Sequence, residues 1–558
     1  MTSYFTLSDD FQSSYLQRSS YPRNLLGKNI GSYPSDLDIY RHKIDAAAPG
    51  LFEPRTNCYE VRFRDLHFDD GRGGSLRKEY VTNLQTLGSH LGTRVVQDPS
   101  DPQRRVVAGR YKDPKCRFIY IYGTDSRAPL KTSKEMLLEI LTFHQVMPEY
   151  FDFMSVFGLQ ETPVDFAFGS FRAQCVLGSS SRSATSAPSQ DALGRSGKYY
   201  QLCYNLKCAN RVAGDGATPY SIRQAAFYHR FDVQRGNSLW IVTKGGLDIH
   251  TKFKELTGDD AKPEDKSFAS VEECFRSSLS AHLLFCRWAT EDWHGYVKTV
   301  ETAIDRYTKL AVIGPRDHST SREYFEAENV RKLQVWHEEV SDIITVLESN
   351  VDVMSALMSF YQDIQSDKRV PPGQECGDDI HDFVRELNHI IINKRMQISR
   401  TKKLLQRTME RSELVKQHIA TQTSERLERL NHNLEKEAIL VRIITIVTLI
   451  YLPATFVSTF FSTDVIKYQN TKSQGGNFSR LALIRWLQIT LPLTFLTLLV
   501  AYFLRRWAER RAESRGLLVP KEQRQWAPVM LNKMSTFSSR TSTLLPWAEK
   551  HVGHSQYP

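Results

Sequence analysis

The stretch IITIVTLIYLPATFVSTFFST, residues 443–463, carries no charged side chain. It has the length that an α-helix needs, about 20 predominantly apolar residues, to span the hydrocarbon core of a bilayer. Eleven of its residues are Leu, Ile, Val or Phe. At roughly −0.3 to −0.6 kcal/mol apiece they favour insertion by about 3 to 7 kcal/mol before the polar residues subtract. A second uncharged run, WLQITLPLTFLTLLVAYFL at residues 486–504, also holds eleven such residues. Pro453 and Pro492 would break soluble helices, whereas membrane helices tolerate proline because neighbouring groups re-satisfy the backbone. The two runs therefore read as transmembrane helices, and the competing reading is a pair of buried soluble ones.

The segment between the spans, an external loop over 464–485, is short and polar, with a Gly475–Gly476 turn. A loop that short makes the spans a hairpin with both ends on one side. Lys436 and Arg442 precede the first span, and Arg505, Arg506, Arg510 and Arg511 follow the second. The positive-inside rule then places both termini in the cytosol, although Lys467, Lys472 and Arg480 temper the bias. Trp486 and Trp507 sit where interfacial aromatics belong. Asn477-Phe478-Ser479 matches a glycosylation sequon, a match short enough to be fortuitous. The expected location is integral to the membrane and multi-pass, in the plasma membrane rather than an organelle.

The rest of the 558 residues is ordinary in composition, 41% hydrophobic and 24% charged, with a formal net charge of +10. That charge does not point to nucleic acid. Lys and Arg are interleaved with acids, no zinc-finger spacing occurs, and the densest basic cluster, RRWAERRAESR from Arg505, adjoins an apolar run. Eight cysteines scattered from Cys58 to Cys376 without a CxxC pair indicate reduced thiols. The start, MTSYFTLSDD, lacks the pattern of a secretory signal.

Residues 1–50 show weak periodicity and are unassigned. Over 51–271 an α/β domain is expected. CYEVRFRDL, CRFIYIYG, YYQLCYNLKCA and SLWIVTKG read as strands, KEMLLEILTFHQV and YSIRQAAFYHRF as helices, and 178–197 as a low-complexity surface loop. A helical region covers 272–370. Within it Leu333, Trp336, Val340, Ile343, Leu347, Val351, Met354, Met358 and Tyr361 recur in steps of three and four, a coiled-coil-like seam. PPGQECGDD at 371–379 ends that helix and caps the next. A stalk helix over 378–442 then runs without Pro or Gly into the first span. Leu427, Leu430, Leu434, Val441, Ile444, Thr448, Leu452 and Thr455 continue one face from stalk to bilayer. A lone helix longer than 100 Å needs partners. The basic tail, 505–558, completes the fold class: an α+β cytosolic domain, a long helical stalk and a C-terminal two-helix transmembrane hairpin.

Thr448, Thr455, Thr459 and Ser462 lie within about 60° of one another on the first span. A hydroxyl stripe of this kind serves either close helix packing or the wall of a water-filled pore. Asp464 ends the stripe. Repeated by rotational symmetry it would form a carboxylate ring that selects cations, and otherwise it is a solvated residue beyond the interface.

This layout resembles the CorA family of magnesium channels, whose first span carries a Pro-x-Thr-Phe element followed closely by Tyr-Gly-Met-Asn. Pro453-Ala454-Thr455-Phe456 fits the first element, and Phe461-Ser462-Thr463-Asp464 stands where the second belongs. The chain is similar to the divergent CorA-like proteins of filamentous fungi. The resemblance implies a homopentamer in a lipid bilayer with Mg²⁺, or another divalent cation, as the transported ion and no bound cofactor. Val441, Ile444, Thr448, Leu452, Thr455, Thr459 and Ser462 would line the pore. Ser462, Thr463 and Asp464 would occupy the selectivity position, where the family holds Mg²⁺ through its water shell. Magnesium sheds water reluctantly, so an outer-sphere site is the physical solution. Here Ser462 replaces a glycine, and Asp464 would put five carboxylates where the family has five amides. These departures keep two alternatives open, a membrane scaffold or cation sensor without transport and a Zn²⁺ or Co²⁺ transporter.

Asp378, Asp379, His381 and Asp382 either cap the stalk helix or form a regulatory metal site of the kind the resemblance implies. No enzyme is expected. Gly71-Arg72-Gly73-Gly74 lacks a Walker lysine, and His337-Glu338-Glu339 lacks the second histidine of a zinc protease.

Overall fold

The computed structural model describes residues 4–26, 33–69, 73–97, 105–159, 168–178, 189–212, 219–246, 248–257, 267–313, 325–462 and 480–514. The chain divides into two compact units, Met1–Thr421 and Gln422–Pro558.

The first unit is organised by a seven-stranded sheet. Its strands are β2 (Val61–Asp69), β3 (Gly73–Val81), β6 (Cys116–Gly123), β7 (Phe171–Val176), β8 (Tyr199–Arg211), β9 (Tyr220–Asp232) and β10 (Ser238–Gly245), in the order β3-β2-β6-β10-β9-β8-β7. Only β6 and β10 pair in parallel, Ser238 opposite Cys116 through Gly245 opposite Gly123. A smaller sheet joins β1 (Phe5–Thr6), β5 (Arg105–Gly109) and β4 (Thr93–Gln97).

Both faces of the large sheet are covered, and the two-residue period of a strand divides its side chains between two cores. Phe118, Tyr120, Leu202, Tyr204, Ala225, Phe227, Trp240 and Val242 enter one. Ile119, Ile121, Cys203, Ala226, Tyr228, Leu239 and Ile241 enter the other. This second core is closed by helices α1 (Asp9–Leu16), α2 (Pro34–Leu51), α3 (Leu84–Leu91), α4 (Lys134–Phe143) and α5 (Tyr150–Met154). The first core is closed by α7 (Val271–Trp288), α8 (Trp293–Ile313), α9 (Ala327–Ser366) and α11 (Gly377–Ser462); α6 (Asp248–Thr257) precedes them, and the short α10 (Pro371–Glu375) lies between α9 and α11.

Several expectations are corrected here. YSIRQAAFYHRF is not a helix but most of β9, paired with β8 along its length and with β10 from Ala225 to Phe231. Ile222, Ala225, Ala226 and His229 satisfy helical spacing. A strand buried on both faces has no polar side to reveal its true period, which is why the pattern misleads. The unassigned N-terminal segment is part of the core: Phe11 and Tyr15 are buried, and the Tyr15 hydroxyl donates to Glu139 at 2.6 Å. Nor is the end of the 178–197 loop on the surface. Leu193 is buried, and Arg195 reaches inward to donate to Asp113 at 2.6 Å and to the Phe143 carbonyl at 2.6 Å.

The α/β and helical segments share one compact unit. The seam on α9 faces the first core, with Leu333, Trp336, Val340, Ile343, Leu347, Val351, Met354 and Tyr361 buried. The early part of α11 adds Ile380, Phe383, Leu387, Ile391, Ile398, Leu404 and Val415. In the second unit, α11 runs to Ser462, and α12 spans Arg480–Ser514.

Among the described residues, three helices are long and apolar enough to cross a membrane. Half of the apolar stretch of α9 is buried by the protein itself, against 6% for those of α11 and α12. The apolarity of α9 is therefore used in the core, while that of the other two is unmet by the chain.

Candidate functional site

All 86 residues of α11 form one helix, about 130 Å long at ~1.5 Å per residue. Pro453 sits within it and Pro492 within α12. Each withholds one N–H from the carbonyl four residues earlier, at Leu449 and Gln488.

Near Pro453 the two sides of α11 differ. Pro453 and Val457 are buried, and Leu449, Ala454 and Phe461 are half-buried. On α12 the covered residues are Thr490, buried, with Trp486, Leu493, Thr494 and Thr497 half-buried. The indole Nε1 of Trp486 donates to Ser458 Oγ at 3.0 Å, tying the two helices together. The sequence reading missed this contact. Its signal in the sequence is a tryptophan opening one uncharged run and a serine within the other.

The hydroxyl stripe lies elsewhere. Val441, Ile444, Thr448, Leu452, Thr455, Thr459 and Ser462 are all exposed. With about 100° of turn per residue, they centre roughly 160° from the face that meets α12. The stripe is therefore available to something other than α12.

Its hydroxyls share one arrangement. Thr448 Oγ1 donates to the Ile444 carbonyl at 2.8 Å, Thr455 Oγ1 to Tyr451 and Leu452 at 3.0 Å each, and Thr459 Oγ1 to Thr455 at 2.8 Å. Ser462 Oγ donates to the Thr459 carbonyl at 2.8 Å. A carbonyl can only accept, so the hydroxyl hydrogens are turned back onto the helix. Each oxygen keeps lone pairs for an outside donor. A row of such acceptors suits water molecules whose own oxygens face a cation. Thr463 and Asp464, the remaining selectivity positions, lie outside the described residues.

The acidic group at the start of α11 is not gathered into a ligand set. Asp379 accepts from Arg276 Nε at 2.9 Å, and Asp382 pairs with Arg385 at 2.8 Å. Asp378 and His381 are exposed. Asp378 and Asp379 occupy the first turn, where carboxylates complement the helix dipole. Among the described residues no cluster of three or more His, Cys, Asp or Glu side chains is placed to hold a metal.

The model of the CorA-like transporters matches residues 13–312, more than half of the chain. No curated protein matches significantly. Among solved structures, the full-length CmaX protein aligns at 12% identity with a TM-score of 0.32, covering 81% of this chain and 100% of its own. The CorA magnesium transporter from Methanocaldococcus jannaschii aligns at 12% identity with a TM-score of 0.28, covering 80% and 97%. Scores at this level do not establish a shared overall arrangement.

Proposed function

This chain belongs to the CorA-like transporters, a family of integral membrane proteins, and from that premise we propose that it conducts divalent cations, Mg²⁺ foremost, through a pore lined by the second half of α11. In this reading α11 and α12 form a transmembrane hairpin with both chain ends in the cytosol. Five copies surround one axis, and the ion moves passively down its electrochemical gradient.

One observation carries the reading. The stripe of Thr448, Leu452, Thr455, Thr459 and Ser462 is exposed on the side of α11 away from α12, and its hydroxyl oxygens keep free lone pairs. The Trp486–Ser458 hydrogen bond supports the hairpin. Apolar residues exposed above the span, Leu427, Leu430, Leu434 and Val441, need neighbours, and further copies of the same helix supply them. The metal is cargo here, so no resident ion is required. At the pore mouth, Asp464 would act on the cation through its water shell.

The test is cysteine accessibility during transport. Thr448→Cys and Thr455→Cys channels in proteoliposomes should lose Mg²⁺ flux when a charged thiol reagent is added. Val457→Cys, turned toward α12, should not. Equal insensitivity of all three, with flux intact, would remove the stripe from the pore. Absence of Mg²⁺, Zn²⁺ and Co²⁺ flux in the unmodified protein would favour the non-transporting scaffold.

A further inference from the structure

The first unit contains a cleft of about 570 Å³ that conduction leaves unused. The loop after β6, strand β9 and helices α8 and α9 meet around it. Glycines allow the approach: a Cβ on Gly245 would run into the backbone nitrogen of Ser126, and one on Gly295 into the Tyr220 hydroxyl.

On α9, Glu339 and Asp342 stand about one turn apart, share a face, and both line the cleft. Glu339 accepts from the Tyr296 hydroxyl, and among the described residues neither carboxylate has an ion-pair partner. Burial raises the proton affinity of Glu339, and neighbouring Asp342 adds to it. Negative charge in this wall is thus under-compensated.

Two further polar groups of the lining have no partner. Gln224 is 2% exposed, and its Nε2 donates to the Val156 carbonyl at 3.2 Å, which leaves Oε1 without a donor. Ser126 is 9% exposed with its Oγ unpartnered. Buried oxygens of this kind ordinarily find a hydrogen bond.

The complementary ligand carries positive charge and N–H donors. Asp125, Glu339 and Asp342 against Arg127 and Arg223 leave the lining at a formal −1, three carboxylates less two guanidinium groups. Tyr220 and Tyr296 stack with ring centroids 5.3 Å apart, an aromatic wall for carbon atoms or a cation. A bare metal fits poorly, since no three-ligand cluster exists among the described residues. The volume falls in the range of small-molecule sites, about 300–1,000 Å³.

We propose that this cleft binds a small organic amine. Its ammonium group would lie against Glu339, Asp342 and the Gln224 oxygen, and its carbon skeleton over the tyrosine pair. The inference goes beyond ion conduction and is read by binding rather than by flux.

Isothermal titration of the detergent-solubilised full chain tests it, with putrescine as probe and 1,4-butanediol and MgCl₂ as comparison arms. Putrescine should bind saturably and butanediol should not. Mg²⁺ at the same concentration should leave putrescine affinity within twofold. Glu339→Gln and the exposed Asp342→Asn should each weaken putrescine at least tenfold without changing the melting temperature of the free protein. No putrescine binding, equal binding of butanediol, displacement by equimolar Mg²⁺, or unchanged affinity in both variants would each overturn the proposal.

Discussion

Lys394 on α11 offers a direct test of how the long helix is seated. The residue is 1% exposed, and its ammonium donates to the Thr290 carbonyl at 3.3 Å and to Gln397 Oε1 at 3.0 Å, 5.7 Å from the Trp293 ring centre. Among the described residues no carboxylate pairs with it. Burial pushes its pKa down from 10.5 to about 7. The folded state therefore releases this proton earlier than the unfolded state. Between about pH 7 and 10.5 the unfolded chain holds more protons, so the contribution of Lys394 to stability rises with pH through that window. The interval from 10.5 to about 7, at about 1.4 kcal/mol per pH unit, bounds the penalty of keeping the charge at about 5 kcal/mol. Lys394→Met keeps the stem and removes the ammonium, so it should stabilise the protein at pH 7 by roughly 1–4 kcal/mol. The assay is thermal unfolding of the solubilised full chain, followed by tryptophan fluorescence at pH 6.5 to 9.5. Wild type should gain stability along the series. The variant should start higher and gain less, retaining the smaller slope from Lys244, which burial lowers to about 8. Parallel pH profiles, or a variant less stable at pH 7, would show that the Lys394 ammonium carries no burial penalty.

Other expectations can be checked together. Asp65 accepts two hydrogen bonds from Arg117, at 2.9 and 2.7 Å, in a buried pair beside His90. Asp65→Asn should cost about 2–4 kcal/mol because Arg117 stays buried with only Asp113, at 4.0 Å, to balance its charge, and Asp65→Asn/Arg117→Met should recover part of it in a double-mutant cycle. Gly245→Ala drives a Cβ into the backbone of Ser126; a lower melting temperature is expected, and an unchanged one would mean the β6–α4 loop yields. Trp486→Phe removes the N–H that reaches Ser458. A loss of about 0.5–1.5 kcal/mol in unfolding measured in lipid bicelles is expected, with no change if Ser458→Ala is already present.

How much the sequence reveals depends on whether a residue's partners are near it in the chain. CRFIYIYG and SLWIVTKG were legible as strands because turn residues bound short aromatic and β-branched runs, and both match β6 and β10 end to end. β9 was not, because burial on both faces erased the polar alternation. The N-terminal helices were invisible since α1 contributes only a few core residues, such as Phe11 and Tyr15, whose partners Phe143 and Glu139 lie far along the chain. The hydroxyl stripe on α11 was readable because one helix carries it all. For Asp378, Asp379, His381 and Asp382 the sequence leaves capping and metal binding both open, because the partner of Asp379, Arg276, comes from elsewhere in the fold. Closeness in sequence is not convergence on a helix, and Asp379 and Asp382 have separate arginine partners. The amine cleft had no sequence signature, because Ser126, Gln224 and Glu339 come from three distant segments.

Conduction through the first-span stripe is read by Mg²⁺ influx into proteoliposomes under an inside-negative potential, with unmodified protein beside Asp464→Asn. Potential-driven influx is expected in the unmodified protein, with a changed rate or Mg²⁺/Zn²⁺/Co²⁺ preference in the variant. Identical rates and preferences in the two would contradict Asp464 as a filter residue, and no influx from a correctly assembled protein would contradict the channel itself.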